Sequence, residues 1–179
     1  MFIAIKDLEL RDVRFQVDVP AGEIDYSSEI TQISALHATG SAHLLSRSLG
    51  EVRIEGNLKV TVNAPCDRCL ESATVAVEKR FDLVYMPSET GNGAREDEVD
   101  EAAVEVGYYD GAGLALNDVL REVVLLALPM QLICAEACKG ICPECGQNLN
   151  QGECDCEPQP IDDRWSKLRE FRAGSTARN

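Results

Sequence analysis

The chain has 179 residues, of which 45% are hydrophobic and 27% are charged, and this ordinary balance excludes an intrinsically disordered protein. A formal net charge of −14 argues against a protein that binds nucleic acid by simple electrostatics. The longest apolar run, Val123 to Leu128, is far shorter than the roughly 20 residues that span a bilayer. The amino terminus becomes charged at Lys6 and Asp7, so no secretory signal is expected.

The first half of the chain alternates apolar and polar residues with the period of half-buried strands. Alternation covers residues 13–19, 52–62 and 75–85, and a further strand is expected at residues 38–45. The short links between consecutive strands favour an antiparallel meander. Gly56 falls on the apolar face of its strand, which indicates a bulge or a close approach of backbones.

After a short strand expected at residues 104–109, the apolar period changes to that of a helix. The residues that share the apolar face are Leu116, Val119, Leu120, Val123, Val124 and Ala127. Asn117 is expected as the N-cap and Pro129 as the stop. The high apolar content predicts a helix buried against the sheet. The predicted fold class is therefore α+β, an antiparallel β-sheet meander with a buried helix and a C-terminal cysteine-rich zinc knuckle.

The sequence divides into three segments. Residues 1–133 hold the sheet and its packed helix, with an acidic loop at about 88–102, where residues 95–101 form a dense run of charge. Residues 134–160 are the cysteine-rich, zinc-binding segment, and residues 161–179 are a basic tail helix with the single tryptophan. Charge runs of this kind are usually solvated loops, and the alternative is a docking site for a basic partner.

Eight cysteines are the most unusual feature of the composition. Without a secretory signal they should be reduced, so metal binding is favoured over a disulfide framework. Zinc takes four thiolates, commonly in close pairs from tight turns, and eight cysteines suffice for two such sites. The candidate metal ligands are Cys66, Cys69, Cys134, Cys138, Cys142, Cys145, Cys154 and Cys156.

The sharpest local pattern is the C-P-E-C-G string from Cys142 to Gly146, which with Cys154 and Cys156 predicts one compact knuckle. Cys66 and Cys69 lie between two predicted strands and would occupy a hairpin tip. A second tetrathiolate would join this pair to Cys134 and Cys138. In the alternative partition, Cys138 replaces a ligand of the distal site and Cys134 is left free. A closed tetrathiolate leaves no position for water, so structural zinc is expected rather than catalytic zinc.

No catalytic constellation is evident. The two histidines, His37 and His43, would share one strand face about 20 Å apart and could form no proton relay. Phosphate-binding, dinucleotide-binding and hydrolase motifs are missing from the sequence. The sequence therefore predicts a protein that is not an enzyme.

The tail combines basic and aromatic residues. Asp162 or Asp163 could cap a short helix whose apolar stripe is Trp165, Leu168 and Phe171. In one interpretation this helix docks Trp165 on the parent domain. In the other, Trp165 with Arg164, Lys167 and Arg169 binds a partner.

Four strings in the same order resemble the YceD-type family of large ribosomal RNA subunit accumulation proteins of bacteria and plastids. They are the C-D-R-C pair at Cys66, the apolar helix ending in Ala127-Leu128-Pro129, residues 138–150, and the closing Asp162, Arg164, Trp165 and Leu168. The resemblance implies a non-catalytic ribosome biogenesis factor, required for accumulation or processing of large-subunit ribosomal RNA in the bacterial cytoplasm.

Structural zinc would then hold the hairpin end and the C-terminal knuckle in fixed geometry. The tail or a sheet face would contact a large-subunit ribosomal protein or precursor ribosomal RNA, and the net charge favours the basic protein. Neither a membrane nor a small-molecule substrate is expected. The alternatives are a thiol redox protein that uses Cys66 and Cys69, and a zinc-ribbon adaptor in a non-ribosomal complex.

Overall fold

A computed structural model describes residues 1–45, 50–88 and 105–156. The chain divides into two units, Met1–Cys138 and Lys139–Asn179. The predicted acidic run at residues 95–101 lies outside the described residues, as do the tail residues Arg164, Trp165, Lys167 and Arg169. The predicted boundaries after residues 133 and 160 stay predictions.

The described part of the first unit holds eight strands and two helices. In chain order these are β1 (Phe2–Ala4), α1 (Ile5–Leu10), β2 (Val13–Val19), β3 (Thr31–Gln32), β4 (Leu36–Leu44), β5 (Val52–Pro65), β6 (Ser72–Pro87), β7 (Glu105–Tyr109), β8 (Gly113–Ala115) and α2 (Leu116–Ala127).

One sheet contains β2, β4, β5, β6 and β7 in that order, and β3 also pairs with β5. The pairs from β2 to β6 are antiparallel, which confirms the meander predicted for this part. The prediction of a purely antiparallel sheet was wrong, because β7 pairs with β6 in parallel. A parallel neighbour needs a crossover of about a dozen residues, and the chain between Pro87 and Glu105 supplies that length.

The hairpin of β5 and β6 is the longest feature of the sheet. Its strands have 14 and 16 residues and pair without a break from Val52↔Tyr85 to Pro65↔Ser72. Strand β4 pairs with β5 only as far as Lys59. The hairpin therefore runs on past β4 and carries Cys66 and Cys69 at its tip.

The sheet packs its apolar face against α2 to form the main core. A row across this face reads Phe15, Gly40, Gly56 and Phe81 on four neighbouring strands. A Cβ on Gly40 would lie 2.2 Å from the carbonyl oxygen of Glu55, so no side chain fits there. A Cβ on Gly56 would meet a backbone carbonyl at 2.4 Å, which confirms the predicted close approach.

Helix α2 buries five of the six predicted apolar positions, and Ala127 is partly buried against the same core. The helix ends before Pro129, as predicted, with Leu128 as C-cap. Asn117 as N-cap was wrong, because β8 runs directly into the helix and Ala115 is the N-cap. Ala115 is fixed by its pairing with Phe2 in a separate two-stranded sheet. Among the described helices, none has the length and hydropathy needed to cross a bilayer.

Candidate metal centres

The cysteines form two groups of four, and within each group the sulfur atoms lie within 4.8 Å of one another. One group is Cys66, Cys69, Cys134 and Cys138, and the other is Cys142, Cys145, Cys154 and Cys156. This corresponds to the first of the two partitions that the sequence left open. The first group belongs wholly to unit Met1–Cys138 and the second wholly to the other unit.

The sulfur spacing fits a tetrahedral metal site. The Sγ atoms of Cys66 and Cys138 are 3.9 Å apart, and those of Cys69 and Cys134 are 3.5 Å apart. A disulfide requires about 2.05 Å. A tetrahedron with zinc–sulfur bonds of about 2.3 Å has edges of about 3.8 Å. The donor set and its spacing therefore match a zinc tetrathiolate, and all eight cysteines are free thiols.

The C-D-R-C segment folds as a tight knuckle around the first pair of sulfurs. The backbone N–H of Leu70 donates to the carbonyl of Cys66 at 2.9 Å, and the N–H of Cys66 donates to the carbonyl of Glu71 at 2.7 Å. The N–H of Arg68 points at Cys66 Sγ at 3.5 Å. Leu70 has a left-handed φ of 62°, which glycine adopts far more easily.

The C-P-E-C segment of the second group repeats the same knuckle. The N–H of Gly146 donates to the carbonyl of Cys142 at 2.9 Å, and the N–H of Cys142 donates to the carbonyl of Gln147 at 2.8 Å. Gly146 has φ 75° at the position equivalent to Leu70. Because glycine is the usual residue at this left-handed position, Gly146 made the second turn predictable from the sequence. Leu70 gave no such signal for the turn at the hairpin tip.

Three hydrogen bonds attach the segment after α2 to the hairpin tip. The N–H of Asp67 donates to the carbonyl of Leu132 at 2.8 Å, and the N–H of Leu132 donates to Asp67 Oδ2 at 2.6 Å. Arg68 Nη1 donates to the carbonyl of Cys138 at 3.2 Å. The two inner residues of the C-D-R-C motif, Asp67 and Arg68, therefore hold the returning chain, a role that the motif pattern did not predict.

Each knuckle favours the thiolate form of its first cysteine. Burial raises the pKa of Cys66, but backbone N–H groups, first that of Arg68, outweigh it and lower the pKa to about 6. The N–H groups of Cys145 and Glu144 lower the pKa of Cys142 to about 7. By contrast, the neighbouring thiol of Cys69 raises the pKa of Cys134 to about 12. Each group thus presents one ready anionic ligand to a cation.

The first group is closed to solvent on the hairpin side, because Cys66 is 0% and Cys69 is 4% exposed. Four thiolates would fill a tetrahedral coordination shell and leave no position for a substrate. The two histidines lie far along β4 from each other, and His37 contacts Asp18 on the neighbouring strand. The cysteine groups are therefore the chemically distinctive sites of the described residues.

The comparisons with known proteins agree on one family. The family model described as "Large ribosomal RNA subunit accumulation protein YceD" matches residues 54–172, which include all eight cysteines. The chain is 25% identical over 148 residues to a chloroplastic "Large ribosomal RNA subunit accumulation protein YCED homolog 1" of Arabidopsis thaliana, covering 70% of this chain and 46% of that protein.

Two further relatives extend the likeness. The homologue of the same name in Zea mays is 23% identical over 140 residues, covering 65% of this chain and 48% of that protein. An uncharacterized protein of Mycobacterium tuberculosis is 31% identical over 124 residues, covering 67% of this chain and 55% of that protein. The chain thus spans about half the length of these relatives. No solved structure matches the chain significantly. Since the family model covers most of the chain, including both cysteine groups, the chain belongs to the YceD family.

Proposed function

We propose that this chain is a non-catalytic factor of ribosome biogenesis that is needed for normal accumulation or processing of large-subunit ribosomal RNA. The observation that carries the proposal is the family match across residues 54–172, which spans both cysteine groups. The names of the plant relatives give the class of process, large-subunit RNA accumulation. The site of action would be the bacterial cytoplasm.

Each cysteine group holds one zinc ion as a structural tetrathiolate in this proposal. The ligands are Cys66, Cys69, Cys134 and Cys138 at the hairpin tip, and Cys142, Cys145, Cys154 and Cys156 in the second unit. Bound zinc would supply a rigid cross-link between the chain segments that contribute its ligands. Metal analysis of purified protein should give two zinc ions per chain, and Cys69→Ser should reduce this to one.

The tail residues Arg164, Trp165, Lys167 and Arg169 stay candidates for partner binding, alongside the exposed surface of the first unit. With a net charge of −14, the protein would bind a basic large-subunit ribosomal protein more readily than bare RNA. Binding that is tight to naked ribosomal RNA alone would contradict this choice.

The central experiment measures the ratio of large- to small-subunit ribosomal RNA after depletion of the protein in its host. The ratio should fall and should return with the wild-type gene. The Cys66→Ser/Cys69→Ser double variant should restore it poorly, while Glu9→Gln, an exposed change on α1 and outside both cysteine groups, should restore it fully. An unchanged ratio on depletion would refute the proposal and favour an adaptor role in another complex.

A thiol redox protein is the second candidate, since the pKa of Cys66 is lowered to about 6 by backbone N–H groups that outweigh the opposing effect of burial. Its sulfur belongs to a residue that is 0% exposed, so an oxidant or disulfide substrate has no direct approach. Alkylation of native protein followed by mass measurement separates the two functions. Protection of all eight thiols supports zinc, and one rapidly modified cysteine at this pair supports redox chemistry.

A further inference from the structure

A cleft of about 400 Å³ lies in the first unit where β7, β8 and the start of α2 meet. This volume is within the range of sites that hold small ligands or side chains, about 300–1,000 Å³. Among the described residues, its lining combines aromatic residues with carboxylates and includes neither lysine nor arginine. The side chains that matter for binding are Phe2, Tyr85, Tyr108, Asp110, Asp118 and Glu122.

The aromatic part of the cleft is unusually exposed for such large rings. Tyr108 is 63% exposed and Phe2 is 57% exposed, although both belong to strands of a well-packed unit. The ring of Tyr85 lies against Gly107, where a Cβ would be 2.4 Å from Tyr85 Cε1. Glycine at this position therefore lets the buried Tyr85 ring pack closely against β7, and the next residue along that strand, Tyr108, is exposed.

One carboxylate of the acidic part is held in place by the same tyrosine. Tyr85 Oη donates to Glu122 Oε2 at 2.6 Å, which orients the carboxylate of Glu122 at the cleft. Asp118 lies one turn earlier on the same helix face and is exposed. Asp110 follows β7 and accepts a hydrogen bond from the hydroxyl of Ser88. Three carboxylates thus surround a space with aromatic walls.

Aromatic faces and carboxylates together favour one ligand chemistry, a planar organic cation. A guanidinium group stacks on aromatic rings and donates to carboxylates in the same geometry, which neither a hydrated metal ion nor a phosphate can do. We propose that this cleft binds an arginine side chain in a basic segment of a partner protein. The proposal rests on the proposed function and deepens it by naming the partner as protein rather than RNA. The negative charge of the whole chain supports the choice, since a phosphate backbone would be repelled here.

The test uses the full chain, labelled with ¹⁵N for NMR titration, and the peptide acetyl-Gly-Arg-Gly-Arg-Gly-amide. The matched control peptide has citrulline in place of arginine, which keeps the shape and removes the charge. The arginine peptide should shift the amide signals of Tyr108, Gly113 and Glu122 in a saturable manner that weakens with salt. Equal shifts from the citrulline peptide would overturn the proposal.

Variants separate the cleft from general electrostatics. Tyr108→Leu should weaken binding about two- to fivefold, whereas Tyr108→Phe, which keeps the ring, should leave it unchanged. Asp118→Asn should weaken binding by about two- to fivefold as well. Glu29→Gln removes the same charge from another exposed place, so an equal loss there would mean that only net charge matters and would contradict the proposal. A decamer of oligouridylate that shifts the same amides would also contradict it, because the partner would then be RNA.

Co-sedimentation with large-subunit precursors links the cleft to the proposed function. If wild-type protein co-sediments and the Tyr108→Leu/Asp118→Asn double variant does so equally, the cleft proposal fails and the proposed function stands. If depletion leaves the ribosomal RNA ratio unchanged, the proposed function fails, and the peptide titration still decides whether the cleft binds arginine.

Discussion

In the proposed zinc-bound protein, removal of metal from the first cysteine group should detach the chain between α2 and Cys138 from the hairpin tip without unfolding the sheet. Helix α2 ends at Ala127 and the first unit ends at Cys138, so residues 128–138 have no regular structure of their own. Ordering the backbone of these eleven residues costs about 11–22 kcal/mol. Any interaction that holds them in place must match this cost.

The hydrogen bonds with the tip that are described above are too weak to do so alone. The two hydrogen bonds between Asp67 and Leu132 and the one from Arg68 to Cys138 contribute about 2–5 kcal/mol together. Ile133, partly buried against this small cluster, adds about 1 kcal/mol. Structural zinc binds with an apparent free energy of about 10–16 kcal/mol. Together with bound zinc, the hydrogen bonds and the Ile133 contact match the cost of ordering residues 128–138. Without zinc, they fall well short of it.

Hydrogen exchange read by NMR or mass spectrometry measures this directly. A strong chelator should abolish protection of the Asp67 and Leu132 amides, while amides in the centre of β5 and in α2 keep theirs, because the main core is a separate cluster. Cys69→Ser should reproduce the effect, and Cys145→Ser, in the other group, should not. Metal-free protein that keeps full protection of the Asp67 and Leu132 amides would refute the reasoning, since metal would then not be what holds the chain after α2 on the hairpin tip.

Three further outcomes test the fold and the knuckles. Gly40→Ala should lower the free energy of unfolding by about 1–3 kcal/mol in denaturant titrations, because its Cβ meets a backbone oxygen at 2.2 Å. Adding Phe15→Leu should not restore the lost stability. If it did, the clash would be with the Phe15 ring and not with the backbone. Gly146→Ala, at φ 75° with open space around it, should weaken zinc retention in chelator competition about fivefold or more, through backbone strain alone; unchanged retention would mean that the turn relaxes. Zinc affinity of the first group should rise at least about 100-fold per pH unit between pH 6.5 and 8, because Cys69 and Cys134, whose pKa values are raised, must each lose a proton, while Cys66, whose pKa is lowered to about 6, is already ionised. Calorimetry in buffers of different ionisation enthalpy counts the protons released, and fewer than two released would contradict this titration order.

The sequence predicted what local periodicity encodes. Strands β5 and β6 were recognisable because apolar and polar residues alternate along residues 52–62 and 75–85, and α2 because its apolar positions recur at helical spacing. The parallel addition of β7 was not predictable, since a strand's direction depends on the path of the connection and not on its own residues. Asn117 failed as N-cap because the tertiary pairing of Ala115 with Phe2 fixes where the helix begins.

The candidate sites show the same division. The cysteine spacing predicted metal binding but left open which cysteines share a site. The structure resolves this, because the hairpin tip and the chain after α2 bring Cys66, Cys69, Cys134 and Cys138 together. The backbone turn around Cys66 and Cys69 was not predictable, because Leu70 occupies the left-handed position where such turns usually have glycine. The aromatic cleft escaped notice altogether, since Phe2, Tyr108 and Glu122 come from three distant parts of the chain. Only the Tyr108-Tyr109 doublet, which breaks strand alternation, could have drawn attention to it.

The two cysteine groups also differ in when they can be completed during synthesis. The second group closes within residues 142–156, so a nascent chain can load it as soon as that stretch leaves the ribosome. In the first group the pair at the hairpin tip must wait for its partners, because Cys66 and Cys138 are 72 positions apart. At about 5–20 residues per second the hairpin holds half a site for about 4–14 s before its partners are translated. The last ligand of the first group, Cys138, is still translated before Cys142, the first ligand of the second group. Metal bound at the hairpin tip would therefore report that the sheet, the helix and the returning chain have all reached their places.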